Sequence, residues 1–382
     1  MKIKYDQAMP YAEAFFSDIG NAQGFEVGKL SASQLSDADI LLVRSTTKIT
    51  AELLDMAPNL KFVGTATAGF DHFDVSALNH RNIQWSASPG CNARAVAEYV
   101  LAAVLHYCQN NSCDISTLSI AVVGVGEVGS RVSQLFKALN LQVVEYDPPK
   151  QLRDDTFTSA PLDDVLDADI ISLHTPLTKT GQFPTFHMFD QDKLLDLTSS
   201  QLFINAARGE VVESEFLHQV TQVAPTLIFD CWENEPEINR DLIPKCLLTT
   251  AHIAGHSLEG KARGTYMLYA KLCDIFWLRG DLTLKDFLPD FPASEALLNV
   301  QNEINKQGLT QRLLHQLVTC FYDIKNDDSF FRQHMAKSAS ISEIRRHYPI
   351  RREFDAISLK IDDRNTQQQL LDLGFSVTSD SI

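Results

Sequence analysis

The chain has too little positive charge for a nucleic-acid or membrane-surface protein: 33 lysines and arginines against 49 aspartates and glutamates leave a formal charge of −16 at pH 7. Such a balance lacks the long-range attraction that draws basic proteins to DNA, RNA or anionic lipid, so neither is expected as a partner. The seven cysteines are odd in number, scattered and never spaced as C-x-x-C, which suggests neither a disulfide framework nor a metal site such as zinc. They read as small core hydrophobes in a reducing compartment. A signal-type apolar core is also missing at the start, where "MKIKYDQAMPYAEAFF" meets charge and proline first. The most apolar helical segment, "AVAEYVLAAVLHYC", is broken by Glu98 and His106 and falls short of the roughly 20 apolar residues of a bilayer span. No internal repeat or low-complexity tract stands out. The expectation is a cytoplasmic protein with no membrane partner.

What is present is ordinary globular composition, 45% hydrophobic and 21% charged, over 382 residues, enough for two or three domains. From residue 1 to about 90, β-type runs ("ADILLVRS", "LKFVGTATAG", "NIQWSAS") alternate with helix-like segments such as "YAEAFFSDIG" and "AELLDMAP". That alternation predicts a parallel sheet covered by helices. Asn92 is a good N-cap for a helix over "ARAVAEYVLAAVLHYCQN", which carries the chain into a second β-α series. The runs "LSIAVVGVG", "LQVVEYD", "ADIISLHTPL", "QLFINAARG", "TLIFDCW" and "CLLTTAHIAG" are apolar without alternation, as strands buried on both faces should be. A long helical segment follows through "LEGKARGTYMLYAKLCDIFWLRG", and "GDLTLKDFLPDFP" reads as a linker. Beyond about residue 291 the alternation fades into helical stretches and the arginine-rich "ISEIRRHYPIRREFD".

The sharpest local motif is Gly124-Val125-Gly126-Glu127-Val128-Gly129, directly after "SIAVV" and opening a helix. The first glycine permits the tight bend, the second lets backbone approach a pyrophosphate, and the third lets helix pack on strand, while the helix N-terminus faces the phosphate charge. Asp147 lies eighteen residues past Gly129, at the end of the next strand, where a carboxylate holds ribose hydroxyls and repels a 2′-phosphate. NAD is the expected cofactor. The competing reading is a glycine-rich turn with a solvated aspartate behind it, and Lys150 and Arg153, close by, bear on the choice against NADP.

Three further residues stand at the ends of successive predicted strands: Arg208 in "QLFINAARGEVV", Glu235 in "FDCWENEP" and His252 in "TTAHIAG". Strand carboxyl ends are where doubly wound sheets bind ligands. Oxidising a hydroxyl to a carbonyl needs a base for the proton, an electrostatic clamp for the substrate and an acceptor for the hydride. A histidine oriented by a carboxylate suits the first role and an arginine fork the second. Taken singly, Arg208 also reads as a surface arginine paired with Glu210, Glu235 as a loop acid, and His252 as a core histidine.

In their order along the chain, GVGEVG, Asp147, "HTPL", "NAARG", "DCWENEP" and "HIAG" resemble the D-isomer-specific 2-hydroxyacid dehydrogenases over roughly residues 1 to 280. "VRSTTKIT", "KFVGTATAGFDHFD", "SASPGCNARAVAEYV" and the tail "RRHYPIRREF" are similar to a branch that carries an added C-terminal domain. The resemblance implies two Rossmann-like or flavodoxin-like doubly wound parallel-sheet α/β domains plus a small α+β C-terminal dimerisation domain. The boundaries expected are 1–92 with 256–284 for substrate, 93–255 for NAD, and 285–382 for a homodimer contact. It further implies a phosphorylated 2-hydroxy acid as substrate, with Arg208, Glu235 and His252 in the active site. Gly124, Gly126, Glu127, Val128, Gly129, Asp147, Thr175, Ala206, Ala207, Arg208, Asp230 and Gly255 would line the cofactor. Ser45 and Thr67 would contact substrate. His256 stands where the family commonly has tyrosine, so that contact is open. Because a doubly anionic substrate meets an acidic protein, Arg44 is expected to supply local positive charge, together with the tail arginines Arg345, Arg346, Arg351 and Arg352 of the same or a partner subunit. Those arginines equally read as a solvated face or intersubunit salt bridges. Two alternatives stay open: a different 2-hydroxy acid such as 3-phosphoglycerate or glycerate, and a non-enzymatic NAD-sensing corepressor-type module.

Overall fold

Short runs rich in valine, isoleucine and leucine form parallel strands in two separate sheets of the computed structural model, which describes residues 1–219 and 225–378. One compact unit comprises Met1–Asn92 and His256–Asp290, the other Ala93–Gly255 and Phe291–Ile382. No helix among the described residues is long and apolar enough to cross a membrane.

In the first unit, β1 (Lys2–Asp6), β2 (Asn21–Phe25), β3 (Ile40–Val43), β4 (Phe62–Thr65) and β5 (Gln84–Ser86) pair in the order β2-β1-β3-β4-β5. This is a doubly wound order whose direction reverses between β1 and β3. Reading for apolar runs finds β3, β4 and β5 but passes over β1 and β2, because "KIKYD" and "NAQGF" contain none. β1 is nevertheless an interior strand: Ile3 and Tyr5 enter the core beside Phe15 and Phe16, and its Lys4 and Asp6 are buried with partners. Lys4 Nζ donates to Gln23 Oε1 at 2.5 Å, and Asp6 accepts from Arg44. The helix Leu258–Phe276, capped by Ser257, packs Leu268, Tyr269 and Leu272 into the same core.

The second unit holds β6 (Ser119–Val123), β7 (Gln142–Tyr146), β8 (Ile170–Leu173), β9 (Leu202–Asn205), β10 (Thr226–Phe229) and β11 (Cys246–Thr249), all parallel in the order β11-β10-β9-β8-β6-β7. β8 and β9 are buried throughout, as their lack of alternation requires. The helix Ala93–Asn111 is buried on almost every side because Glu127–Ala138 and Gln311–Phe321 both pack on it.

Residues 291–382, read from the sequence as a third domain, group with 93–255. Four helices (Glu295–Gln307, Gln311–Phe321, Ile324–Ala336, Ile341–Arg346) precede a two-stranded parallel ribbon, β12 (Ser358–Lys360) and β13 (Ser376–Thr378), with helix Arg364–Asp372 between them. Phe354 and Phe375 stack at their centre, Phe321 meets both edge-on, and the three join the core of the second unit.

Within this segment Asp327 is buried and accepts hydrogen bonds from Tyr322 (2.8 Å) and Tyr348 (2.7 Å). Burial pushes its carboxyl up to about 6, against the opposing effect of both hydroxyls. The folded chain therefore favours the protonated form. Stability from this group is present in full below about pH 4 and is lost as pH rises through about 6, by roughly 3 kcal/mol. Asp327→Asn removes that dependence. Between pH 4 and pH 8 the unfolding free energy of the variant should gain about 2–3 kcal/mol relative to the parent, read from urea denaturation at the two pH values.

Candidate active site

The glycine turn after β6 is built as its spacing demands. Gly124 adopts φ +88°, a left-handed conformation costly to any residue with a side chain, and a Cβ there would press on the His174 carbonyl and the Thr175 side chain. A Cβ on Gly129 would overlap the Gly124 carbonyl oxygen, whereas one on Gly126 would meet open space. Gly126 caps the helix Glu127–Ala138, whose first residues Glu127 and Val128 lie at the surface or only half-buried. β6 and β8 are neighbours where the strand order reverses, so this turn and the His174-Thr175 turn after β8 flank the switch point of the sheet. The Thr175 hydroxyl is buried there with no hydrogen-bond partner among the described residues. Burial pushes the neighbouring His174 down to about 3, leaving it neutral, with its Nε2 2.9 Å from the Ser172 hydroxyl.

Asp147 ends β7 and caps the next turn: Oδ1 accepts from the Lys150 N–H and Oδ2 from the Val125 N–H, each at 2.8 Å. Its carboxylate is thereby tied to the glycine turn. Lys150, which could have favoured a phosphate beside it, has its ammonium engaged within the same turn: Nζ donates to the Val125 carbonyl and lies 4.5 Å from the centre of the Phe157 ring. Arg153 bonds its Nε to the Pro149 carbonyl.

The arginine that ends "QLFINAARG" leaves β9 through a tightly determined turn. Asn205, buried at the strand end, donates to the carbonyls of Arg208 (3.1 Å) and Cys231 (3.2 Å) and accepts from the Ala207 N–H (3.2 Å). A side chain on Gly209 would overlap the Trp232 carbonyl, so the turn sits directly on the segment after β10. Arg208 itself is half-buried, with Nη1 2.9 Å from the Ala207 carbonyl. Sequence reasoning missed Asn205, though a polar residue closing a buried strand was the same signal that singled out Arg208.

After β10, Asp230 is buried and gathers the next strand end. Its Oδ1 accepts from the Thr250 hydroxyl and the Ile253 N–H, both at 2.7 Å, and its Oδ2 from the Ala254 N–H at 3.0 Å. The Tyr99 hydroxyl lies 2.9 Å from that of Thr250. The carboxylate thus shapes the "HIAG" turn, in which Gly255 is the last residue of this unit's first stretch.

His252 follows β11 at φ +57°. Its Nδ1 is 2.9 Å from Glu235 Oε2, and Glu235 Oε1 accepts the Trp232 N–H at 2.7 Å. Burial pushes the Glu235 carboxyl up, but the His252 charge and hydrogen bond, the Trp232 N–H and the Arg345 guanidinium more than reverse this, and it ends below the ordinary carboxylate value. An ionised Glu235 fixes the ring with Nδ1 as donor, which leaves Nε2 to exchange a proton with a ligand. A second pair, His187 Nε2 to Glu233 Oε1 at 2.6 Å, is structural in character: Glu233 also accepts the Ser214 N–H and is buried.

The remaining sequence candidates belong to the first unit. Ser45 is exposed in the turn after β3, and Thr67 follows β4, its hydroxyl bonded to the Gly69 carbonyl and to Thr65. His256 opens the second stretch of that unit and is half-buried. Arg44, expected to supply unmatched positive charge, is bound by the buried Asp6 instead, Nε to Oδ2 at 2.8 Å. β1 and β3 are adjacent, which the spacing along the chain does not reveal. Of the tail arginines, Arg351 is buried and not part of a solvated face, while Arg346 is exposed.

Residues 5–368 match the family described as D-isomer specific 2-hydroxyacid dehydrogenase, catalytic domain. The chain is a member of that family. It is accordingly an oxidoreductase of the 2-hydroxyacid dehydrogenase class. Two curated relatives of this dehydrogenase carry the name erythronate-4-phosphate dehydrogenase: one from Psychromonas ingrahamii, 42% identical over 98% of this chain and 97% of its own length, and one from Pseudoalteromonas atlantica, 39% identical over 98% and 100%. Among solved structures, D-lactate dehydrogenase from Aquifex aeolicus, complexed with NAD and lactic acid, shares the fold at a TM-score of 0.58 and 23% identity, covering 77% of this chain and all of its own.

Proposed function

We propose that this dehydrogenase oxidises 4-phospho-D-erythronate to 2-oxo-3-hydroxy-4-phosphobutanoate with NAD, the second step of pyridoxal 5′-phosphate biosynthesis by the deoxyxylulose-5-phosphate-dependent route. The observation that carries the chemistry is the His252–Glu235 pair at the strand ends that also present Arg208. The names of full-length relatives near 40% identity support the substrate. The residues fit the cofactor: a left-handed Gly124, open space at Gly126 and a Thr175 hydroxyl with no partner among the described residues flank the switch point, and Asp147 retains lone pairs for ribose hydroxyls. NAD, when bound, supplies the hydride acceptor.

The chain's own residues do the rest. His252 Nε2 takes the proton of the substrate hydroxyl, and Glu235 stabilises the imidazolium so formed. Arg208 pairs its fork with the carboxylate and the growing carbonyl. Ser45 and Thr67 hold the substrate, with His256 as a shorter hydrogen-bonding group in the tyrosine position. A cytoplasmic homodimer joined through residues 285–382 completes the proposal.

Gly129→Ala tests the cofactor assignment. Its Cβ must displace the Gly124 carbonyl, an overpacking cost of about 1–3 kcal/mol, so NADH binding should weaken by roughly 10–100-fold in a fluorescence titration. Substrate is tested by NAD reduction with 4-phospho-D-erythronate, 3-phosphoglycerate and D-glycerate, a 2-oxo acid being present in parallel in case NADH leaves slowly. A kcat/KM highest for 4-phospho-D-erythronate supports the assignment. Preferential turnover of either other acid removes it and keeps the catalytic residues.

A further inference from the structure

His252 sits in a left-handed conformation that a residue with a side chain holds only where its surroundings over-determine it. Asp230 accounts for part of that, binding the N–H groups of Ile253 and Ala254. The rest comes from the C-terminal segment. β11 is an edge strand, so one flank of its backbone has no strand neighbour. Helix Ile324–Ala336 covers it: Asp328 Oδ1 accepts both the N–H and the hydroxyl of Thr249 at 2.8 Å, and Arg332, bonded to Asp328, donates to the carbonyls of Ile243 and Cys246 at 2.9 Å. Phe331 of the same helix stacks on Trp232, whose N–H holds Glu235.

Further along, Arg351 is buried with its guanidinium 3.7 Å from the centre of the Tyr322 ring. Nη1 donates to the Ala254 carbonyl at 2.9 Å and Nη2 to the Ala95 carbonyl at 2.7 Å, with Glu98 Oε2 3.6 Å away; burial and the neighbouring Glu353 push the Glu98 carboxyl up, against the opposing effect of Arg351. Ala254 is therefore held through its N–H by Asp230 and through its C=O by Arg351. The fork of an arginine spans two carbonyls in a way the single ammonium of a lysine does not.

We infer that Arg351 is a positioning residue for His252, and that the C-terminal segment forms part of the catalytic apparatus of its own chain in addition to any role in assembly. The inference rests on the reading of His252 as the acid–base group. Arg351→Lys keeps the charge beside Glu98 but releases one of the two carbonyls. The expected result is a kcat lower by about 10–100-fold, as for small misplacements of a catalytic group. KM for NAD should rise by a smaller factor than kcat falls, because the glycine turn and Asp147 are not bonded to Arg351 and, of the expected cofactor-lining residues, only Asp230 and Gly255 adjoin the Ala254 peptide it holds. The limb of the kcat/KM pH profile that His252→Ala eliminates should also move. Where Arg351→Lys yields no soluble protein, the double variant Glu98→Gln with Arg351→Met replaces both members of this buried pair, leaving Glu353 with Arg94, and is held to the same expectations.

A folded variant with unchanged kcat and pH profile overturns the inference, as does a loss of kcat matched by an equal loss of cofactor binding. His252→Ala assayed beside it separates the two readings. If that variant is inactive while Arg351→Lys behaves as the parent, only the positioning role fails. If His252→Ala retains full turnover, the reading of the site fails with it.

Discussion

His252→Ala should lower kcat by about 10²–10⁴-fold while leaving NADH affinity nearly unchanged, the span expected when a positioned acid–base group is lost. The ring is anchored at Nδ1 by Glu235 and through its backbone N–H by the Asp230 carbonyl at 2.7 Å, so little besides proton transfer is removed with it. Glu235→Gln should cost less, because an amide oxygen still accepts the Nδ1 hydrogen. That variant loses the charge that stabilises an imidazolium. Glu235 already lies below the ordinary carboxylate value, so it is ionised throughout the neutral range and its replacement removes no ionisation there. Steady-state rates from pH 6 to 9 for the parent and both variants check these outcomes. Retention of most of the activity by His252→Ala would contradict the role.

Arg208→Lys should reduce kcat/KM for the hydroxy acid by about 10²–10³-fold, the loss typical of removing one electrostatic donor from a developing charge. The substitution keeps the charge and removes the fork, which is not conservative where two oxygens must be held at once. Asn205 and Gly209 fix the backbone of the turn independently of the side chain, so the lysine should be presented from the same place. NADH binding followed by fluorescence should change by no more than a few-fold. A kcat/KM within about threefold of the parent would show that the arginine does not bear on the substrate carboxylate or the growing carbonyl.

How much of this was legible in the sequence depended on whether the information was local. Gly124, Gly126, Gly129 and Asp147 could be read directly, because a backbone turn with no room for side chains constrains residue type at fixed spacing. Arg208 and His252 stood out as polar residues just past buried strands, whereas Glu235, well beyond the end of β10, read by itself as a loop acid and gains its partner only in the fold, 2.9 Å from His252. The same reasoning did not extend to Asp6 and Arg44, whose pairing depends on β1 and β3 being neighbours across an intervening strand and two helices. Nor did it reach Arg351, which in "RRHYPIRREF" looks like one of several solvated charges until Tyr322, Glu98 and two backbone carbonyls surround it. β1 and β2 escaped because their apolar residues are few and interrupted. The grouping of 291–382 with 93–255 has no local signature, since it arises from helices packing on Ala93–Asn111 and on an edge strand far away in the chain.

The central claim is that this site moves a hydrogen from C2 of a 2-hydroxy acid to NAD while His252 takes the hydroxyl proton. It is tested most directly with 4-phospho-D-erythronate deuterated at C2, followed by mass spectrometry of the reduced cofactor. The account predicts one deuterium retained on the nicotinamide of the parent's product and almost no labelled cofactor from His252→Ala in the same time. Unlabelled reduced cofactor, with the deuterium released to water, or no reduction at all with any 2-hydroxy acid, would contradict it.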